Sequence, residues 1–187
     1  MRDLSLNVLD IVQNSITAKA RLIEISINEC SEDKTLLLRI SDDGIGMTPE
    51  QAQLAAETHY TTQNGENSGY GLPLIKALTE KTGGKLEISS APQKGTAVSC
   101  LFYTENPYMI PFGDMNATVA VLICCNPEVE FIYQRSRNEK SYVLDSRHMD
   151  DILGGCLTQG GVIKRITEYL TGQEKILYGG AISNENT

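Results

Sequence analysis

The stretch that organises the chain is Asp42-Asp43-Gly44-Ile45-Gly46-Met47. It follows Thr35-Leu36-Leu37-Leu38-Arg39-Ile40-Ser41, an apolar run that reads as a buried strand. A strand that ends in an acidic pair and two glycines, one residue apart, can do one of two things. It can make an ordinary Asp-Gly turn. It can also bring a backbone close to a flat ligand, because glycine has no Cβ, with Asp42 placed to accept from an exocyclic amine or to face a metal. Three further stretches at sensible distances bear on the choice.

Upstream, residues from about Ser5 to Lys19 carry helical periodicity, with Leu4, Val8, Ile11 and Ser15 in one row and Leu9, Val12 and Ile16 in a second. Opposite runs a polar row of Asp3, Asn7, Asp10, Asn14, Thr17 and Arg21. Asp10 and Asn14 are four apart and share a face. The row is either a solvated helix face or a carboxylate and a carboxamide converging on a hard cation or a water. Arg21 to Asn28 alternates as a strand, and Glu29 to Lys34 turns the chain back, which predicts an antiparallel pair with 35–41.

Downstream, Thr48-Pro49-Glu50-Gln51 has the residues of a capping box with proline at the first helical position, so a helix should run to about Glu57. His59-Tyr60-Thr61-Thr62 and the polar run Gln63 to Ser68 read as a mobile loop. Gly69-Tyr70-Gly71-Leu72-Pro73 then opens another helix, and a glycine turn at a helix N-terminus suits phosphate. Gly83-Gly84 ends that helix. Lys85–Ser90 and Thr96–Phe102 read as strands joined by Ala91-Pro92-Gln93-Lys94-Gly95. Helices that do not alternate strictly with strands predict α+β, with three helices on one face of a mixed sheet.

Beyond residue 104, Thr104 to Met115 reads as a linker. Ala117–Cys125, Val129–Arg135 and Lys140–Leu144 read as three strands, and Gly161–Leu170 as a short amphipathic helix. The expected organisation is a domain over 1–104, a linker over 105–116 and a small α/β extension over 117–187. His148 reads as a surface or helix-start residue. On a strand, Cys124 and Cys125 would point to opposite faces, which argues against a shared metal.

The net charge of −8 argues against nucleic acid or an anionic membrane as partner. At 41% hydrophobic and 21% charged, the composition is that of an ordinary globular protein. No apolar run approaches the ~18 residues of a membrane helix, and the N-terminus lacks a signal peptide's order, so a cytoplasmic location is the default expectation. Five cysteines without a Cys-x-x-Cys pair fit reduced thiols.

Taken jointly, Asp10-Ile11-Val12-Gln13-Asn14, Asp42-Asp43-Gly44-Ile45-Gly46, Gly69-Tyr70-Gly71-Leu72 and Gly95-Thr96 resemble, in order, the motifs of the GHKL superfamily of ATP-binding domains. Gyrase, the ninety-kilodalton heat-shock chaperone, histidine kinases and MutL-type proteins share these motifs. The whole chain further resembles small stand-alone bacterial proteins of histidine-kinase-like type, often encoded near iron-only hydrogenase subunits.

The resemblance implies ATP and Mg²⁺ as cofactors, with slow hydrolysis or phosphoryl transfer to a partner protein, a phospho-acceptor or a hydrogenase-related protein. An ATP-responsive binding module without chemistry is the alternative. It implies that Asn14 binds Mg²⁺, that Asp42 accepts the adenine amino group with support from Thr96, and that Gly44 and Gly46 pass beside the base with Met47 lining it. Gly69, Tyr70, Gly71 and Leu72 would meet the phosphates, and Thr61 and Thr62 would lie near a lid over Tyr60 to Ser68. Asp10 stands where hydrolytic members place Glu, one methylene shorter, as the candidate catalytic base. Thr17, three residues after Asn14, and Gln63 depart from the family pattern, and the lid is short. ATP binding is therefore better supported than turnover.

Overall fold

The computed structural model describes residues 3–57, 71–149 and 161–180, and the account below concerns those residues. Helix α1 (Leu4–Thr17) is capped by Asp3, whose carboxylate accepts from Leu6 N. Strands β1 (Leu22–Cys30) and β2 (Thr35–Asp42) pair antiparallel, as the intervening turn predicts. Helix α2 (Pro49–Glu57) begins with the expected reciprocal box. Gln51 N donates to Thr48 Oγ1 at 3.3 Å, and Thr48 N donates to Gln51 Oε1 at 2.9 Å. Helix α3 (Gly71–Lys81), β3 (Lys85–Ser90) and β4 (Thr96–Tyr103) follow.

The sheet has six strands in the order β3-β4-β2-β1-β5-β6, with β5 (Glu130–Arg137) parallel to β1 and β6 (Lys140–Asp145) antiparallel to β5. This is the expected α+β arrangement, a mixed sheet with helices on one face. Alternate residues of the central strands, among them Ile23, Ile25, Ile27, Leu36, Leu38, Ile40, Val98 and Phe102, are buried beneath the helices. Glu24, Arg39 and Gln134 point to the open face. The strands after residue 129 therefore continue the same sheet.

One element differs in kind from its expectation. Residues 117–125 are helix, not strand, and lie within α4 (Met115–Cys125). The β-branched content of Thr118-Val119-Ala120-Val121-Leu122-Ile123 favours a strand locally. Topology overrides it. Strands β4 and β5 both run parallel to β1, so the chain between them must cross over the sheet, and such crossovers are usually helical. Asp114 starts the helix by accepting from Ala117 N, and Met115, Val119, Ala120 and Leu122 are buried at helical spacing. Cys124 and Cys125 thus sit on one helical turn, half-buried and exposed, and not on opposite faces of a strand.

Helix α5 (Val162–Leu177) runs a further two turns past its expected end and covers β6 and α4, with Ile166, Leu170 and Leu177 buried. His148 ends a short 3₁₀ turn, Ser146–His148, exposed beside Asp145, as expected of a surface residue. No described helix is long and apolar enough to cross a membrane.

Candidate functional site

The register of three strands builds the site. Asp42 on β2 lies opposite Thr96 on β4, and Thr96 lies opposite Ser90 on β3. All three continue the alternation of Ile40, Val98 and Ile88, so they form a polar row at one end of the helix-covered face. The row takes up where the apolar core stops.

Each side chain in the row is held. Ser15, 3% exposed, reaches down from α1 and donates its hydroxyl to Asp42 Oδ2 at 2.7 Å, while Gly44 N donates to Asp42 Oδ1 at 2.9 Å. The second aspartate has a different job. Asp43 Oδ1 accepts from Arg21 N at 2.7 Å and Leu22 N at 2.9 Å, pinning the loop to the start of β1. Ser90 Oγ accepts from Met47 N at 2.8 Å, donates to Gly95 O at 3.0 Å and stands 2.9 Å from Thr96 Oγ1.

Two glycines are obligatory here. Gly46 has φ +65°, and a Cβ on it would fall 2.0 Å from Ala91 O. Gly95 has φ +79°, and its Cβ would fall 1.8 Å from Asp42 O. The glycine-bearing loop and the β3–β4 turn are thus packed backbone to backbone, which only glycine permits.

The second part of the site lies where α1 meets α3. Asp10 is half-buried, and a methyl on Gly71 would come within 3.1 Å of its Cβ. Gly71 opens α3, whose first-turn N–H groups have no partners within the helix. Asn14 is exposed one turn along α1 from Asp10. From Asp10 to Ser15 the axis advances about 7.5 Å, so α1 connects the α3 end of the site to the polar row. Leu72 turns inward and packs on the core. Asn7, expected on the polar face, is fully buried, its amide donating to Asp3 O. A cleft of about 500 Å³ lies between α2, α3 and β3, lined by Pro49, Ala52, Lys76, Leu86, Ile88 and Ser90. It meets the row only at Ser90; Asp42 and Thr96 are outside its lining.

The structure thus groups Asp42, Gly44, Gly46, Met47 and Thr96 at one end of α1, and Asp10 and Gly71 further along it, with Asn14 between. Thr61, Thr62, Gly69 and Tyr70, with His59 and the lid over Tyr60 to Ser68, lie outside the described residues. Ser15 and Ser90 are absent from the sequence-derived set. Serines carry no motif signal, and only helix docking and strand register bring them to Asp42 and Thr96. Among the described residues no group of three or more His, Cys, Asp or Glu side chains is placed to hold a metal.

Comparison with known proteins gives a family and a fold. The family described as histidine kinase-, DNA gyrase B-, and HSP90-like ATPase matches residues 2–106. The sensor histidine kinase YxdK of Bacillus subtilis (strain 168) is 32% identical over 102 residues, covering 51% of this chain and 31% of the kinase. Sporulation kinase B of the same strain is 30% identical over 104 residues, covering 54% of this chain and 24% of the kinase. The chain thus spans under a third of these curated relatives.

Two solved structures share the fold over most of the chain. The N-terminal domain of a DNA repair protein superposes with a TM-score of 0.56 at 20% identity, covering 87% of this chain and 59% of that one. The Aquifex aeolicus MutL ATPase domain complexed with ADP gives 0.51 at 18%, covering 91% and 70%. The fold likeness therefore runs past residue 106, into the elements that follow the family match.

Proposed function

We propose, for a chain that belongs to the family of histidine kinase-, DNA gyrase B- and HSP90-like ATPases, that it binds ATP and supports slow hydrolysis or phosphoryl transfer to a partner protein. The observation that carries this reading is the row Asp42–Thr96–Ser90, with Asp42 fixed by Ser15 and Gly44. A carboxylate held by two donors still has lone pairs to offer, and it accepts only. That suits the amino group of adenine. From there α1 leads to Asp10 and the open N–H groups of α3, where the phosphates would lie.

Magnesium fits the residues present in a limited way. Mg²⁺ usually takes one or two protein oxygens and fills its shell with waters and substrate phosphates. Asn14 offers one such oxygen, exposed on the α1 face that carries Asp10. When bound, the ion would neutralise phosphate charge. In the hydrolytic reading Asp10 holds the attacking water and accepts its proton, and Met47 borders the base. The binding unit is residues 1–104; the linker over 105–116 runs into the first residues of α4, and of the 117–187 extension β5 and β6 continue the same sheet. The partner is a phospho-acceptor or a hydrogenase-related protein.

The competing reading is a binding module in which ATP changes the chain's affinity for a partner without being consumed. It draws on Asp10, whose side chain is one methylene shorter than a glutamate and lies beside Gly71, where an added Cβ would come within 3.1 Å of it. Titration calorimetry with ADP and a non-hydrolysable ATP analogue, with and without Mg²⁺, tests the shared premise. Mg²⁺-dependent binding that disappears in Asp42→Asn is the expected result; folded wild-type protein that binds neither nucleotide overturns it. Turnover abolished by Asp10→Asn with binding retained would select the catalytic reading, and its absence in wild type the module.

A further inference from the structure

We propose that Ser90 is a specificity-determining positioning residue, which orients the Thr96 hydroxyl so that the base end of the site offers acceptors only and thereby selects an amino-purine over an oxo-purine. The proposal rests on the ATP-binding reading above and goes beyond it by assigning the discrimination to a proton count.

A serine hydroxyl has one proton and two lone pairs. Ser90 Oγ accepts from Met47 N at 2.8 Å, which uses one lone pair, and donates to Gly95 O at 3.0 Å, which uses the proton. Thr96 Oγ1 stands 2.9 Å away. With the Ser90 proton spent, the only polarity left for that contact is Thr96 donating to Ser90. Ser90 is then saturated, and Thr96 has given away its single proton. What Thr96 offers to anything else is lone pairs. Its cross-strand neighbour Asp42 is likewise an acceptor, with Ser15 and Gly44 supplying donors from behind.

Two acceptors facing one position favour the two N–H donors of an exocyclic amine. They disfavour a carbonyl oxygen at the same place, which would leave acceptors opposed to an acceptor and a buried group unpaired. The two bonds that set the polarity are made to the backbone of this molecule and not to the ligand. Met47 N comes from the glycine-bearing loop, and Gly95 O from the β3–β4 turn whose φ of +79° excludes a side chain. The backbone of two loops therefore decides which way one hydroxyl points. Ser90 also lines the cleft beneath α2 and α3, so it is the residue through which that cleft and the polar row touch.

The test is titration calorimetry with the non-hydrolysable analogues of ATP and GTP on wild type, Ser90→Ala, Thr96→Val and the double variant, each shown to be folded by its melting curve. In Ser90→Ala the Thr96 proton is released, and the ATP:GTP affinity ratio should fall about tenfold, a loss equal to roughly 1.4 kcal/mol. Ser90→Thr, which keeps the hydroxyl, should restore the ratio. In the Thr96→Val background, Ser90→Ala should leave the ratio unchanged, because the effect travels through Thr96. An unchanged ratio in Ser90→Ala, or an equal fall with and without Thr96, overturns the proposal. Wild-type protein that binds neither analogue overturns the ATP reading instead, so the two failures are told apart.

Discussion

At one end of β1, opposite Ile23, lies Asp42 with its hydroxyl neighbours; at the other end, opposite Leu36, lies Glu29. Both ends carry polar side chains on the helix-covered face, and they are built on opposite plans. Around Glu29 the chain forms a closed knot. The guanidinium of Arg135, 2% exposed, pairs through Nη2 with Glu29 and through Nη1 with Glu174 of α5. It also donates to Tyr178 Oη at 2.9 Å and lies 4.3 Å from the centre of the Phe112 ring. Burial opposes its charge, yet Tyr133, Tyr178, Glu29 and Glu174 around it hold its pKa above the ordinary arginine value. Its charge is met by two carboxylates of the chain itself, Glu29 and Glu174, while its buried Nε has no hydrogen-bond partner among the described residues.

At the Asp42 end the groups are smaller, each held from one side by serine or backbone, with lone pairs left over. The contrast teaches how to tell a polar cluster that holds a fold from one that waits for a ligand. The first closes its charges on itself; the second fixes its orientation and leaves part of its valence open. The knot also ties the late helix α5 to β5 and β1.

That comparison can be broken most directly at Arg135. Arg135→Ala leaves Glu29 and Glu174 facing each other without their cation and should cost about 3–5 kcal/mol of stability, measured by urea unfolding. Arg135→Met combined with Glu29→Gln and Glu174→Gln should recover most of it. A cost no larger than that of a surface substitution would show that the knot is not closed. Asp42→Asn should do the reverse. Nucleotide affinity should fall by about 2–3 kcal/mol, roughly a hundredfold, while the unfolding midpoint stays nearly in place. If the midpoint collapses and affinity does not change, the row is structural and the contrast fails.

Smaller effects sharpen the picture. Thr48→Ala removes one half of the box that starts α2 and should cost about 1 kcal/mol, read from the same unfolding curves. Asp145 gives a pH signature far from either cluster. Hydrogen bonds from the Arg147 side chain, aided by its backbone N–H and charge and opposed by partial burial, lower its pKa from 3.8 to about 2. A depressed folded pKa contributes stability that is full above the unfolded value and lost as pH falls through the folded one. Arg147→Ala should therefore lower stability slightly at neutral pH, leave it nearly unchanged near pH 2, and so flatten the acid limb between pH 4 and pH 2.

Local signals made the first hundred residues legible. Alternation gave β1, an apolar run gave β2, strands flanking the 91–95 connection gave β3 and β4, the Thr48–Gln51 box gave the start of α2, and Gly83-Gly84 gave the end of α3. Gly46 was legible as a backbone requirement, because its need for positive φ belongs to the turn itself, whereas Gly95 was read only as part of a connection and a motif. Residues 117–125 were not legible as helix. Their β-branched composition is a local preference, and the need for a crossover between β4 and β5 exists only once the sheet order is set.

The amino-acid sequence by itself determined the α+β class, the Asp-x-Gly-x-Gly stretch with its carboxylate at a strand end, and the family to which the chain belongs. Each depends on residues close in the chain or on motifs met in order. The tertiary structure alone decided that Ser15 and Ser90 meet Asp42 and Thr96, that Glu29, Arg135 and Glu174 close into one knot, and that residues after 129 extend the first sheet. Those contacts join side chains far apart in sequence, through strand register and helix docking, and no local preference carries that information.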